Sequence, residues 1–367
     1  MQSSNIKYLP AIDHLRGYAA LLIIFYHGLH LFSYNIRFNK PFGFDQWLQT
    51  ENPFVGFLIE GHTAVALFMV LSGFIFVYGV YGKSISAKNF LINRWLRTYP
   101  LFLFIILIGI CVYPQHVALL PLLKTLFGLA NMYDSLYLGA FSAMFWAISV
   151  EWAFYIVFPL LLLVINRSVF LVVILIALFI GLRFFLQAEG FGVRDIAYKT
   201  IMGRMDQFLI GMCAAVFLKR FAHRVKYAPI LFLLSLITLV ISMFVFHKLG
   251  GWPTENTFKI FWPTYEGIIW AWFIISYILI AERIPEKIAK LISKVGMISY
   301  SMYLIHFCVI TFFIKQGWYI NYPESLVGTA LLNSLLVLPG IILLSFISYR
   351  LIEKPFLDRR IHYIKDS

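Results

Sequence analysis

Long apolar stretches recur along the whole chain and constrain its fold more than any other feature. Each of ten stretches approaches the roughly 20 apolar residues that a helix needs to cross a bilayer. Of the 367 residues, 61% are hydrophobic and only 13% are charged, whereas soluble proteins carry roughly 25% charged residues. The sequence therefore predicts an all-α integral membrane protein, a bundle of about ten transmembrane helices. The predicted spans are 12–33, 57–81, 97–113, 143–165, 168–186, 204–219, 228–246, 263–281, 296–315 and 327–350.

The basic residues predict how this bundle is oriented. If the N-terminus is cytoplasmic, ten spans return the C-terminus to the cytoplasm, and the segments on that side hold 20 of the 30 Lys and Arg residues. Cytoplasmic loops of membrane proteins carry such an excess. We therefore expect both termini to be cytoplasmic, and the net charge of +13 to reflect loop charge rather than nucleic-acid binding. The short apolar stretch 117–131 is expected to be interfacial or re-entrant, because an eleventh span would invert every later loop.

The sequence predicts one membrane-embedded domain over residues 1–367. No linker, low-complexity tract or repeat interrupts it, and 17 residues follow the last predicted span. The three cysteines lie far apart in apolar segments, so neither a disulfide framework nor a metal site is predicted.

The first span, LRGYAALLIIFYHG, carries an arginine and a histidine. Arg16 and His27 are 11 residues apart, so on a helix they share one face and lie about 16 Å apart along its axis. Ionisable groups within a membrane are costly and usually face the bundle interior or a water-filled cavity. Separately, Arg16 could be an interfacial anchor and His27 a core histidine, but together they indicate a functional face.

Further polar groups interrupt the later spans. Glu151 lies in the apolar sequence FWAISVEWAFYIVFP, and Ser299, Tyr303 and His306 share one helical stripe. The alternative for each is structural, a carboxylate paired to another helix or a packing stripe. Arg94 and Arg97 share one helical face at the start of the third predicted span. They could form a bidentate phosphate clamp or supply ordinary cytoplasmic charge.

Two pairs of charged or titratable residues lie near the predicted outer ends of spans. Glu60 and His62 occupy the second span, and Arg204 and Asp206 the sixth. We interpret both as interfacial ion pairs or, alternatively, as part of an acceptor-binding side.

Seven segments in this order resemble the acyltransferase-3 family of bacterial membrane O-acyltransferases, which modify polysaccharides and some small molecules. The resemblance covers nearly the whole chain. The segments are IDHLRGYAALLIIFYH (12–27), LFMVLSGFIF (67–76), NRWLRTYP (93–100), FWAISVEWAFY (145–155), GRMDQFLIGM (203–212), GMISYSMYLIHF (296–307) and SYRLIEKPF (348–356).

The resemblance implies roles for particular residues. Arg16 and His27 match the arginine and the essential histidine of the family's first span, and Arg94 with Arg97 match its cytoplasmic acyl-CoA-binding pair. Ser72 begins an SGF element and is expected, like Arg16, to bind the acyl-CoA, and Glu151 matches a family glutamate. The resemblance also implies a location in the bacterial cytoplasmic membrane. Some members add a span and a C-terminal extracytoplasmic esterase-like domain, and we expect this chain to lack both, so that a separate extracytoplasmic transfer protein is a possible partner.

These observations predict an O-acyltransferase that uses acyl-CoA, most simply acetyl-CoA, as a substrate, with no permanently bound cofactor. His27 is the expected general base on a hydroxyl of a glycan or lipid-linked glycan, since a neutral imidazole suits that task. A transient acyl carrier is the other role considered for it. Glu151 is expected to orient His27, and His306 to line the acyl channel.

Two other functions remain open from the sequence. The acceptor could be a small molecule such as a macrolide. A proton-coupled transporter would also carry buried His and Glu residues among about ten spans, although no repeat relates two halves of the chain.

Overall fold

The computed structural model describes residues 8–365, and its regular structure is helical. The helices are α1 Pro10–Phe38, α2 Pro53–Ile59, α3 Thr63–Val80, α4 Ala87–Val112, α5 Leu119–Leu126, α6 Phe145–Arg167, α7 Val169–Ala188, α8 Val193–Lys199, α9 Ile201–Phe221, α10 Ala228–Lys248, α11 Trp262–Ala281, α12 Glu286–Met297, α13 Ser299–Lys315, α14 Leu326–Ser348 and α15 Lys354–Leu357. A π-helical turn, Tyr349–Glu353, joins α14 to α15.

The long helices agree with the predicted multi-span membrane fold. Within residues 8–365, nine helices are long and apolar enough to cross a membrane. A tenth span results if α12 and α13 are counted together, since they meet at a 58° bend. The stretch 117–131 contains only the eight-residue α5, which is about 12 Å long and too short to cross. The sidedness of the termini remains a prediction.

The third predicted span begins too late in the sequence. We predicted 97–113, but α4 begins at Ala87 and its N-cap Ser86 accepts a hydrogen bond from the backbone N–H of Asn89. The prediction followed the apolar run, but the charged segment NRWLR before that run belongs to the same helix. Pro100 consequently lies inside α4.

Helices α3 and α9 pack in close contact at the centre of the bundle. A Cβ atom added to Gly73 would lie 2.0 Å from the carbonyl oxygen of Phe208, and one added to Gly211 would lie 2.1 Å from that of Val70. Such distances leave no room for a side chain. The glycine of the SGF segment therefore brings two backbones together and holds its neighbour Ser72 at a fixed place in the interior.

Helix α1 is packed against α12, α13, α14 and α3. Its closest approach is to α12, where a Cβ added to Gly296 would lie 1.8 Å from the carbonyl oxygen of Asp13. This contact holds the α12–α13 bend against the first turns of α1. It therefore places the start of α13 beside Arg16.

Candidate active site

A cavity of about 840 Å³ opens at the end of the bundle where α1 begins. Its walls come from α1, α3, α4, α6, the α12–α13 bend and the segment after α14. The six lysines and arginines among its lining residues outnumber the three carboxylates, Asp13, Glu151 and Glu286. The six cations are Arg16, Arg94, Arg97, Lys290, Lys294 and Arg360. A cavity with this excess of positive charge suits an anionic ligand.

The sequence-predicted arginines converge on this cavity. Arg16 projects from α1, and its side chain is 30% exposed and 3.7 Å from the carboxylate of Asp13. Arg94 from α4 packs over the rings of Phe76 and Phe90, with its guanidinium carbon 4.8 and 5.4 Å from their centroids. The Nε of Arg94 is buried and has no hydrogen-bond partner among the described residues. The aromatic rings therefore position this guanidinium, and its Nε–H can donate a hydrogen bond to a ligand.

Arg97 is held by a carboxylate that the sequence analysis did not single out. Its Nη1 donates to Oε2 of Glu353 at 2.9 Å, and its guanidinium lies over the ring of Tyr300. Glu353 is fully buried and also accepts a hydrogen bond from the hydroxyl of Ser301. The π-helical turn after α14 thus directs a carboxylate into the cavity wall, where it orients Arg97.

The positive charges near the opening influence one another. Burial lowers the pKa of Arg360, and the neighbouring Arg94 and Arg97 lower it further. Repulsion among these guanidinium groups would be relieved by an anion bound between them. The electrostatics therefore favour a bound polyanion.

Glu151 is placed differently from our expectation. We predicted that Glu151 orients His27, but its Oε1 accepts a hydrogen bond from the hydroxyl of Ser72 at 3.0 Å. Both residues line the cavity. Helix α6 therefore presents Glu151 to the SGF segment of α3 and to the cavity. The carboxylate is available to the cavity and makes no hydrogen bond to the histidine.

His27 forms a hydrogen-bonded pair with His306. The Nδ1 of His27 and the Nε2 of His306 are 2.9 Å apart, and the Nδ1 of His306 is 3.0 Å from the carbonyl oxygen of Met302. A carbonyl only accepts, so Nδ1 of His306 carries a proton and Nε2 of the neutral ring is an acceptor. Nδ1 of His27 must then donate. This network leaves Nε2 of His27 unprotonated.

The histidine pair adjoins the cavity without belonging to its lining. Val65, Phe68 and Tyr303 lie deepest among its lining residues, and neither His27 nor His306 belongs to the lining. The rings of Phe68 and Tyr303 are 6.0 Å apart, and Tyr303 is 6.0 Å from His306. We expected His306 to line the acyl channel. It lies behind the cavity wall instead, where it forms a hydrogen bond with His27.

Glu60 and His62 do pair, within a larger buried cluster at the opposite end of the bundle. Glu60 accepts hydrogen bonds from Trp47, His62, His247 and the backbone N–H of Trp252. Burial by itself would raise the pKa of Glu60, but the bonds from His247, His62 and Trp47 outweigh it and lower the pKa to about 2. Each of the two carboxylate oxygens accepts two of these hydrogen bonds. Glu60 therefore serves as a structural anchor for the loop containing Trp47.

Arg204 and Asp206 do not pair with each other, contrary to our interpretation. Arg204 lies 3.6 Å from Glu266, and Asp206 accepts a hydrogen bond from Arg183 at 2.9 Å. Residues two apart on a helix point in different directions, so each finds its partner on another helix. Both ion pairs are buried and link α9 to α11 and α7.

Four further charged or titratable residues were not singled out from the sequence: Arg183, Glu266, His247 and Glu353. Each is a polar residue next to or within an apolar span, and such residues normally require a partner. The same rule that drew attention to Glu151 would have identified them.

The fold and this cavity define a multi-span helical membrane protein with a positively charged cavity beside a partly buried histidine pair. A family model described as an acyltransferase domain matches residues 9–350, and the chain belongs to this acyltransferase-3 family. No solved structure matches the chain.

Curated relatives support the same assignment. A Staphylococcus aureus protein (strain COL) named "Putative O-acetyltransferase" is 27% identical over 96% of this chain and 58% of its own length. The corresponding protein of strain N315 matches equally. A protein of Acidianus two-tailed virus named "Putative acetyltransferase" is 24% identical over 82% of this chain and 83% of its own. The chain spans less than three-fifths of the length of the staphylococcal relatives.

Proposed function

We propose that this protein is a membrane O-acetyltransferase that moves an acetyl group from cytoplasmic acetyl-CoA to a hydroxyl of a cell-surface polysaccharide or its lipid-linked precursor. The observation that carries the proposal is the convergence of six cations on one deep cavity at the end where α1 begins. Family membership and the names of the relatives supply the reaction class. The proposal places this opening at the cytoplasm, in agreement with the distribution of basic residues.

The cavity has a shape suited to a long donor. Its lining runs along α3 from Phe76 to Val65, which corresponds to about 16 Å of helix. We propose that Arg94, Arg97 and Arg360 hold the nucleotide phosphates at the opening. The pantetheine arm then follows α3 inward past Ser72, and the thioester arrives at the layer formed by Phe68 and Tyr303.

His27 is the proposed general base. The acceptor oxygen attacks the carbonyl carbon of the thioester, its proton passes to Nε2 of His27, and the C–S bond breaks. The same proton then neutralises the departing thiolate of CoA. The tautomer imposed by His306 and Met302 leaves Nε2 ready to accept this proton.

We expect His306→Leu to lower the transfer rate, because His27 would lose the acceptor that fixes its tautomer. Partners that orient a histidine ligand matter by about 10- to 100-fold, and we expect an effect of that size. His306→Gln should retain more activity, since its amide oxygen can accept from Nδ1 of His27. Acetyl transfer rates of both variants, at matched acetyl-CoA occupancy, check this. Equal rates for the two variants and the unaltered protein would contradict the tautomer role.

The function itself is tested on cell envelopes. Cells with and without the gene are compared by mass spectrometry of their glycans, and membranes are incubated with acetyl-CoA labelled in the acetyl group. We expect a gene-dependent gain of acetyl mass on a glycan and label in the same fraction. Label appearing only in a small-molecule fraction would replace the glycan by a soluble acceptor. Solute uptake by liposomes without consumption of acetyl-CoA would contradict an acyltransferase and support a transporter.

A further inference from the structure

We infer that Tyr303 is a further catalytic residue, whose phenol hydroxyl donates a hydrogen bond to the carbonyl oxygen of the acyl thioester. The inference rests on the proposed function and assigns a group that stabilises the negative charge of the transfer step. It starts from an unpaired donor at the deep end of the cavity.

The hydroxyl of Tyr303 is buried without a hydrogen-bond partner. The residue is only 7% exposed, and no group among the described residues pairs with its oxygen. Leaving such a group unpaired is unfavourable by roughly 1–3 kcal/mol. In native proteins such a group is explained by strain, by a bound water or ion, or by a catalytic role, and the place of Tyr303 in the cavity lining favours the last of these.

The position of Tyr303 identifies what that partner would be. Tyr303 lines the cavity one helical turn beyond Ser299, at the end farthest from the arginines. A donor gripped by its phosphates at the opening would bring its acyl end to this region. The thioester carbonyl is the hydrogen-bond acceptor that such a donor carries at its reacting end.

Tyr303 also adjoins the proposed base through His306. Its ring centroid is 6.0 Å from that of His306, which is 5.0 Å from that of His27. His306 therefore lies next to both Tyr303, which lines the cavity, and His27. In the proposed transfer step the thioester carbonyl oxygen lies at the Tyr303 hydroxyl, and the acceptor hydroxyl lies at Nε2 of His27.

In the proposed transfer step His27 accepts and returns one proton, and Tyr303 donates one hydrogen bond. The acceptor oxygen forms a bond to the carbonyl carbon while its proton moves to Nε2 of His27. The carbonyl π electrons move to oxygen, and the phenol of Tyr303 donates to the resulting oxyanion. When the C=O bond re-forms, the C–S bond breaks and the thiolate takes the proton from His27. Removing one donor to an oxyanion typically lowers kcat by about 10²- to 10³-fold.

Tyr303→Phe separates catalysis from folding, because the substitution removes an unpaired hydroxyl and leaves the ring. We expect an unchanged or higher thermal midpoint in detergent and a fall in acetyl transfer of about 100-fold. Binding gives a second measurement that needs no acceptor. Tyr303→Phe should weaken acetyl-CoA a few-fold and leave CoA, which lacks the carbonyl, unaffected.

Tyr198→Phe is the matched control. Tyr198 is 2% exposed and its hydroxyl is also buried without a partner, but it lies outside the cavity lining. We expect this variant to transfer acetyl normally. Full activity of Tyr303→Phe, or equal weakening of acetyl-CoA and CoA, would overturn the role of Tyr303 while leaving the proposed function intact. If the unaltered protein transfers no acetyl from acetyl-CoA, the proposed function fails instead.

Discussion

His27→Ala is expected to abolish acetyl transfer while leaving acetyl-CoA binding intact. The imidazole makes no contact with the cavity where the donor would bind, and the substitution removes the group that takes the acceptor proton. Loss of a general base lowers rates by about 10²- to 10⁴-fold. Labelled acetyl transferred to membranes measures the rate, and equilibrium binding of labelled acetyl-CoA to purified protein measures the donor site.

The design distinguishes a chemical role from a structural one. His27 is partly buried beside His306, so the thermal midpoint of the variant is measured with its activity. His223→Ala, at an exposed position, should behave like the unaltered protein in all three measurements. A folded His27→Ala protein that transfers acetyl at the normal rate would remove His27 from the mechanism.

Arg97→Ala is expected to destabilise the protein strongly as well as to weaken acetyl-CoA binding. Arg97 is the ion-pair partner of Glu353, which is fully buried. Removing one member of a buried ion pair lowers the free energy of unfolding by about 3–5 kcal/mol, because the other charge is left uncompensated. The thermal midpoint of the detergent-solubilised protein should fall accordingly, and Glu353→Gln in the same chain should restore much of it.

Arg94→Ala provides the contrast. The guanidinium of Arg94 rests on aromatic rings and lacks a carboxylate partner among the contacts described. Its loss should lower the free energy of unfolding by about 1–2 kcal/mol, less than the loss of Arg97. A charge-assisted hydrogen bond to phosphate contributes about 1.5–3 kcal/mol, so acetyl-CoA binding should weaken roughly 10- to 100-fold. An unchanged affinity in both arginine variants would mean that the donor binds elsewhere.

The sequence predicted the long helices because a span has a simple physical signature. Hydrocarbon requires a run of apolar residues with internally satisfied backbone groups, and this run can be read residue by residue. The prediction failed where helix and hydrocarbon do not coincide. α4 begins ten residues before its apolar run, and the 58° bend between α12 and α13 interrupts the ninth predicted span.

The candidate site shows the same division. Helical periodicity assigned Arg16 and His27 to one face, and the arginine spacing in α4 paired Arg94 with Arg97. Periodicity could not show that Glu353 would hold Arg97, since these residues are 256 positions apart. Nor could it show that Glu151 pairs with Ser72 instead of His27, because that choice depends on how α3 and α6 are rotated.

The sequence alone determined that this chain is a multi-span helical membrane protein whose spans contain charged and titratable residues, and that these residues indicate a functional site. Hydropathy and residue order along one helix are local properties, and local properties are encoded within a few turns of chain. Only the tertiary structure decided which polar groups meet, which tautomer His27 adopts and which hydroxyl is left without a partner. Those outcomes depend on the packing of helices that are distant in sequence, where close contacts such as Gly73 against Phe208 fix the register between neighbours.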